Sequence, residues 1–145
     1  MDLKQINRFE GQAAMQLECI VAPELPDQSN ANNAYVLPLD THCGTLDWQP
    51  LVEQLLDDIN TGLSPNYMST HFHRTLSAAA VEVARWIGMP HVVLGGGCFQ
   101  NKYLCEHTID QLRKAGFKVY WPQRIPPNDG GIALGQIVAA AKPNS

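Results

Sequence analysis

Apolar residues recur along the chain at two different spacings, and the switch between them marks out the elements. Over residues 10–22, Ala13, Leu17 and Ile20 fall at i, i+4 and i+7, one face of a short helix. The next stretch, Ala22 to Asn33, is rich in Pro, Asp, Ser and Asn and reads as a loop. Tyr35-Val36-Leu37-Pro38-Leu39 reads as a strand, which Pro38 pushes to an edge or a bulge because it has no N–H for a ladder. Asp47 is placed to cap a helix over Trp48–Asn60, with Leu51, Val52, Leu55, Leu56 and Ile59 as its apolar stripe and Gly62 as its stop.

The second half is more regular. A long helix is predicted over Pro65–Ile87, where Phe72, Leu76, Ala80, Val83 and Ile87 recur at helical spacing and Gly88 follows. His91-Val92-Val93-Leu94 is a short apolar run that opens into Gly95-Gly96-Gly97, the pattern of a buried strand and a tight turn. Asn101–Ala115 is the next helix, facing inward with Leu104, Cys105, Thr108, Ile109 and Leu112, and Gly116 stops it. Lys118-Val119-Tyr120-Trp121 is a second strand ended by Pro122, and a final helix follows Gly131 to about Lys142. Helix, strand, turn, helix, strand, turn, helix is an α/β order with a parallel pair of strands.

Composition narrows the partners. With 145 residues, 45% of them hydrophobic and 17% charged, the chain is one domain or part of one, and can bury a core without disulfides. A net charge of -4, with 10 Lys and Arg in no cluster, excludes a grip on a nucleic-acid backbone. No apolar run approaches the roughly 18 residues of a membrane span, and Met1–Arg8 has no apolar core of a signal peptide. Cys19, Cys43, Cys98 and Cys105 form no C-x-x-C pair, so the expectation is free buried thiols in a reducing cytoplasm rather than a zinc site.

Two loops have residues suited to chemistry. Gly95-Gly96-Gly97 lies at the C-terminal end of a predicted strand, where ligands of α/β sheets bind. Glycines allow close backbone approach, and the next helix start offers free N–H groups. Neither a P-loop nor G-x-G-x-x-G is present, so this is a tight strand-to-helix turn or a nucleotide contact. Asn128-Asp129-Gly130-Gly131 opens the last helix. Asp129 is either its N-cap or a carboxylate for a hard cation that bridges phosphates. Adjacent strand ends would bring the two loops to one crevice. His71 and His73 point to different helix faces and do not share a metal easily; one half-buried and one solvated ring is expected. Cys98 and His42-Cys43 have no partner assignable as a catalytic base, so the catalytic residue stays unknown.

Four segments in this order, Arg8-Phe9-Glu10-Gly11-Gln12-Ala13-Ala14-Met15, Phe72-His73-Arg74-Thr75-Leu76, Leu94 to Asn101, and Pro127 to Gln136, resemble the C-terminal end of the HypF carbamoyltransferases of nickel–iron hydrogenase maturation. The resemblance runs from about Asp2 to Lys142. It departs at Gly95, where Ser is frequent, and at Cys98, where a small apolar residue is usual, which speaks against Cys98 as a required nucleophile.

The resemblance implies an actin-like ATPase (ASKHA) fold, related to TsaD-type threonylcarbamoyl and antibiotic O-carbamoyl transferases, with this chain as its second lobe. It implies transfer of a carbamoyl group from carbamoyl-adenylate, made from ATP, to the C-terminal cysteine of a HypE-like acceptor protein. By position, Gly95, Gly96, Gly97 and Asn101 would line the nucleotide pocket, with Asn128 beside the phosphates and Glu10, Gly11 and Gln12 near ribose or base. Asp129 would ligate a divalent metal (zinc, iron or magnesium). The family's His-x-x-x-His metal pair does not occur, nor do its upstream modules. The expectation is therefore a single domain, the second lobe alone, inactive in isolation, cytoplasmic, and prone to self-association through the face left by the first lobe. A related transferase with another acceptor and a non-catalytic binding or scaffold domain stay open as alternatives.

Overall fold

A computed structural model describes residues 7–22 and 34–141. The predicted loop from Pro23 to Asn33 lies outside the described residues, as do Met1–Ile6 and Lys142–Ser145. In chain order the elements are α1 (Gln12–Cys19), β1 (Leu39–Asp40), β2 (Thr45–Leu46), α2 (Gln49–Asn60), α3 (Pro65–Ile87), β3 (His91–Val93), α4 (Lys102–Lys114), β4 (Lys118–Tyr120) and α5 (Ile132–Ala141). Single 3₁₀ turns occupy Gly97–Gln100 and Asp129–Gly131.

The long helix α3 lies between two small cores. Its limits match the prediction, because Pro65 presets the first turn and Gly88, at φ 73°, ends the helix with its N–H on the Ala84 carbonyl. On one side Val81 and Ala84 pack with Leu94, Ile109, Leu112 and Val119. These come from the β3–α4–β4 unit, in which β3 and β4 pair in parallel with Val92 opposite Val119. Removing each of the Val, Leu and Ile side chains from water stabilises the fold by about 1.5–3 kcal/mol. On the other side Ala79 meets Tyr35, Leu37 and Leu51, flanked by Leu55, Phe72 and Leu76.

Several expectations change on contact with the structure. The apolar stripe predicted for α3 is only partly buried, and Ile87 is exposed. The fully buried positions include Ser69, Thr70, His73, Thr75 and Ser77. These hydroxyls are satisfied. Thr70 Oγ1 donates to Asn66 O and accepts from Ala22 N; Thr75 Oγ1 donates to His71 O and accepts from Tyr35 N; Ser77 Oγ pairs with Thr108 Oγ1 at 3.0 Å. Each turns a helix surface into a dock for a segment arriving from elsewhere, which a search for apolar periodicity cannot see.

The strand predicted at Tyr35–Leu39 is reduced to Leu39–Asp40, paired antiparallel with Thr45–Leu46. Tyr35 and Val36 give their N–H groups to Thr75 and Gln54 side chains, and Pro38 has none, so no ladder forms there. The connecting turn is closed on Asp40, which accepts from His42 N and the Cys43 thiol. Those bonds, the thiol first, hold the Asp40 carboxyl below its usual range. Trp48 sits at the N-cap of α2, while Asp47 Oδ1 accepts from Gln49 N at 3.0 Å, close to its predicted role. Three of the five residues of the α2 stripe, Val52, Leu56 and Ile59, face outward. β3 is not buried on both faces either: Val93 is 76% exposed. Cys19, Cys43 and Cys98 are exposed and Cys105 is half-buried, so the thiols are free but not buried as expected.

Candidate functional site

The parallel pairing of β3 and β4 brings both predicted loops to one end of the sheet. Gly96 N donates to the Pro127 carbonyl at 2.8 Å, and a Cβ placed on Gly97 would lie 3.9 Å from the Asn128 Cβ. The expected meeting of the loops is thus a direct backbone contact. Gly96 makes it with φ 93° and ψ 160°, a conformation essentially reserved for glycine.

The helix starts differ from their predicted chemistry. Asn128, not Asp129, caps the last segment, its Oδ1 accepting from Gly130 N at 3.1 Å. The Asp129 side chain is left exposed, and its carboxylate makes no hydrogen bond or ion pair among the described residues. At α4 the cap is Asn101, whose Oδ1 accepts from Leu104 N at 2.8 Å. The first free N–H groups of α4 are already taken: Glu18 of α1 accepts from Lys102 N at 2.6 Å and lies 3.4 Å from Tyr103 N. An internal carboxylate therefore fills the seat predicted for a ligand anion.

Between α1 and the Gly-rich turn lies a cleft of about 260 Å³, lined by Glu10, Gly11, Glu18, Gly97, Cys98 and Asn101 with their neighbours. It gathers Glu10, Gly11, Gly97 and Asn101 from the predicted set. Gly95 and Gly96 are not on its wall. Gln12 is turned inward, buried, with its side-chain oxygen taken by Arg8 N at 2.7 Å. A larger groove of about 490 Å³ along α4, lined by Cys105, Ile109, Arg113 and Trp121 among others, receives neither the glycines nor the second loop.

Neither histidine of the third motif is solvated. His71 is half-buried, which pushes its ring below the usual imidazole range, and His73 is 2% exposed. Among the described residues no three His, Cys, Asp or Glu side chains come together. Asp129 is thus a single carboxylate, and its surroundings do not by themselves fit a divalent ion. Burial pushes the Cys105 thiol up, away from thiolate character.

Two contributors escaped the sequence reading. Glu18 was findable, since Gly11, Ala14, Met15 and Glu18 share one helical face at i, i+3, i+4 and i+7, and all four line the cleft. His73 was not, because its partner Asn101 lies 28 residues away.

Comparison with known proteins gives the family of the chain. The family model described as "Carbamoyltransferase, Kae1-like Domain, second subdomain" matches residues 1–136. The carbamoyltransferase HypF of Synechocystis sp. is 41% identical over 133 residues, 90% of this chain and 16% of that protein. A crystal structure of full-length HypF in its phosphate- and nucleotide-bound form superposes with TM-score 0.78 at 36% identity, covering 92% of this chain and 18% of that one. The HypF of T. kodakarensis shares the fold, with TM-score 0.73 at 22% identity over 97% of this chain and 18% of that one. The chain spans under a fifth of each of these relatives. The mixed α/β arrangement, with short parallel strands and packed helices, is that of their Kae1-like domains, consistent with the expected ATPase-like fold. Residues 1–136 place this chain in the HypF carbamoyltransferase family, as the second subdomain of its Kae1-like domain.

Proposed function

We propose that this chain is a single domain forming one wall of the nucleotide cleft of a HypF-type carbamoyltransferase that works in the cytoplasm. The observation that supports this most is the backbone contact of Gly96 with Pro127, which joins the two loops next to a cleft bearing Glu10, Gly11, Gly97 and Asn101. A relative of known structure binds phosphate and nucleotide. In this reading the ligand is carbamoyl-adenylate. The acceptor is the terminal cysteine thiol of a HypE-like protein. Its sulfur bonds to the carbamoyl carbon as the bond from that carbon to the AMP oxygen breaks, and the thiol proton is released. AMP leaves and the acceptor carries a thiocarbamate.

Asn101 and the loop at Asn128 hold the nucleotide, and Glu10 and Gly11 border its sugar or base. Asp129 offers one carboxylate to a metal whose other ligands belong to a first lobe. That lobe and the upstream modules complete the site. By itself the chain has no transfer activity, because one wall does not exclude water or close on a substrate.

Titration with ATP and with AMP, each with magnesium, tests the reading. Millimolar nucleotide is expected to raise the melting temperature and to shift the backbone amides of Gly96, Gly97 and Asn101. Absence of both effects at 10-fold higher nucleotide would favour the scaffold alternative. Turnover of carbamoyl phosphate and ATP by this chain alone would overturn the claim that it is inactive.

A further inference from the structure

Below the cleft, hydrogen bonds join α1, α3 and α4 into a closed ring. Ser69 Oγ of α3 donates to the Leu17 carbonyl of α1. His73 Nδ1, one turn on, lies 2.8 Å from the Ser69 carbonyl. His73 Nε2 lies 2.8 Å from the Asn101 amide nitrogen. Asn101 caps α4 through Leu104 N, and the adjoining N–H of Lys102 returns to α1 through Glu18.

Donor and acceptor accounting fixes every atom in this ring. A carbonyl only accepts, so His73 Nδ1 carries a hydrogen. Leu104 N only donates, so the oxygen of the Asn101 carboxamide faces it and the NH₂ faces His73. A neutral ring with hydrogen on Nδ1 has a lone pair on Nε2, which receives one amide N–H. The other amide N–H remains. Asn101 is also among the residues that line the cleft.

We propose that His73 is a positioning residue: in its Nδ1–H tautomer it locks the Asn101 carboxamide so that its free N–H serves a ligand acceptor in the cleft, and through Ser69 it holds the α1 wall at the same setting. This rests on the reading of the cleft as a nucleotide site. The environment favours a locked ring. His73 is 2% exposed, Tyr103 stands edge-on to it with centroids 5.7 Å apart, and Phe72 likewise at 6.0 Å. Without Nε2 as acceptor, the amide has nothing to choose its orientation except the Leu104 cap, and an Asn side chain that rotates loses the ligand contact for part of the time. His73 touches no ligand in this scheme; it acts through Asn101.

The test uses the 145-residue chain with labelled histidines. Long-range ¹H–¹⁵N spectra without ligand are expected to show His73 as the Nδ1–H tautomer alone; an Nε2–H ring or a tautomer mixture overturns the assignment. Asn101→Asp keeps the helix cap but presents acceptors on both sides. It is expected to add a hydrogen at Nε2 while Nδ1 keeps its own on the Ser69 carbonyl, giving a His73 ring protonated on both nitrogens, and to weaken ATP binding roughly tenfold. His73→Phe preserves bulk without an acceptor and should weaken ATP similarly, while His73→Gln, which can still accept from Asn101, should recover most of the affinity. Equal loss in the Gln and Phe variants would show a merely structural role and sink the proposal. If wild type binds no ATP yet shows the locked tautomer, the nucleotide reading fails and the positioning role falls with it. If wild type binds ATP with a mixed tautomer, only the positioning role falls.

Discussion

At Gly96 the backbone combines φ 93° with ψ 160°, and nothing lies within 4 Å of where a Cβ would be. A substitution there is penalised by conformation, not by collision. Gly96→Ala is expected to lose about 1–3 kcal/mol, and the Gly96–Pro127 contact with it. Gly95 also has open space around its missing side chain, but no positive φ, so Gly95→Ala should stay within about 0.5 kcal/mol of wild type. Urea denaturation of the two variants separates these outcomes; equal losses would show that the turn does not depend on the Gly96 backbone. Single residues also differ in where they stand around the cleft. Asn101 and Gly97 line the cleft, Asn128 accepts from Gly130 N beside the turn, and the Gln12 side-chain oxygen is spent on Arg8 N.

One histidine on α3 and one on α4 resist protonation. His107 stacks on Tyr103 with its Nδ1 buried and, among the described residues, without a hydrogen-bond partner. Burial first, then the charge of Arg74, lowers its affinity for a proton, and burial does the same for His71. Both folded-state values lie below the ordinary 6.5. As pH falls through 6.5 the unfolded chain therefore takes up protons that the folded chain refuses. The stability they contribute is complete above that pH and is lost as pH drops through the lowered folded values. Urea midpoints should fall between pH 7.5 and pH 5.5, and His107→Phe should flatten the slope; an unchanged slope would remove His107 from the account.

Elements were legible in the sequence where apolar spacing or an apolar run is bounded by glycine or proline. α3, α4 and the β3–β4 pair were read nearly to the residue, since apolar spacing and Gly88 or Gly116 bound them. β1 and β2 were not, because two-residue strands have no period and their pairing is set by the Asp40 turn. The polar burial of α3 was also hidden, since Ser69 and Thr75 are satisfied by Leu17 and Tyr35, 52 and 40 residues away. The same limit applies to the site. Strand order predicts that the two loops meet, but the Glu18 contact with α4 spans 84 residues and leaves no local mark.

At the scale of the molecule, the surface is unevenly finished. All of α5 is exposed, including Ile132, Leu134, Ile137 and Val138, and the outer face of α2 adds Val52, Leu56 and Ile59. No helix among the described residues is long and apolar enough to cross a membrane. Apolar faces of this kind mark contact surfaces, in keeping with a lobe that works against another. Light scattering near 1 mM should show the chain associating, and Ile137→Glu with Val138→Lys should return it toward monomer. A wild-type chain monomeric at that concentration would count against an exposed interlobe face.

The ring of hydrogen bonds under the cleft also has a consequence for the order in which the molecule forms. The β3–α4–β4 unit and its contacts with α3 join neighbours in sequence, whereas α1 is tied on by bonds that close loops of 52 and 84 residues. Local contacts form early and long closures late. The wall bearing Glu10 and Gly11 is therefore the last part to settle and the cheapest to release. Amide hydrogens of α1 should exchange through partial opening while those of α4 wait for global unfolding, and a nucleotide that bridges the wall and the Gly-rich turn would slow the former without touching the latter.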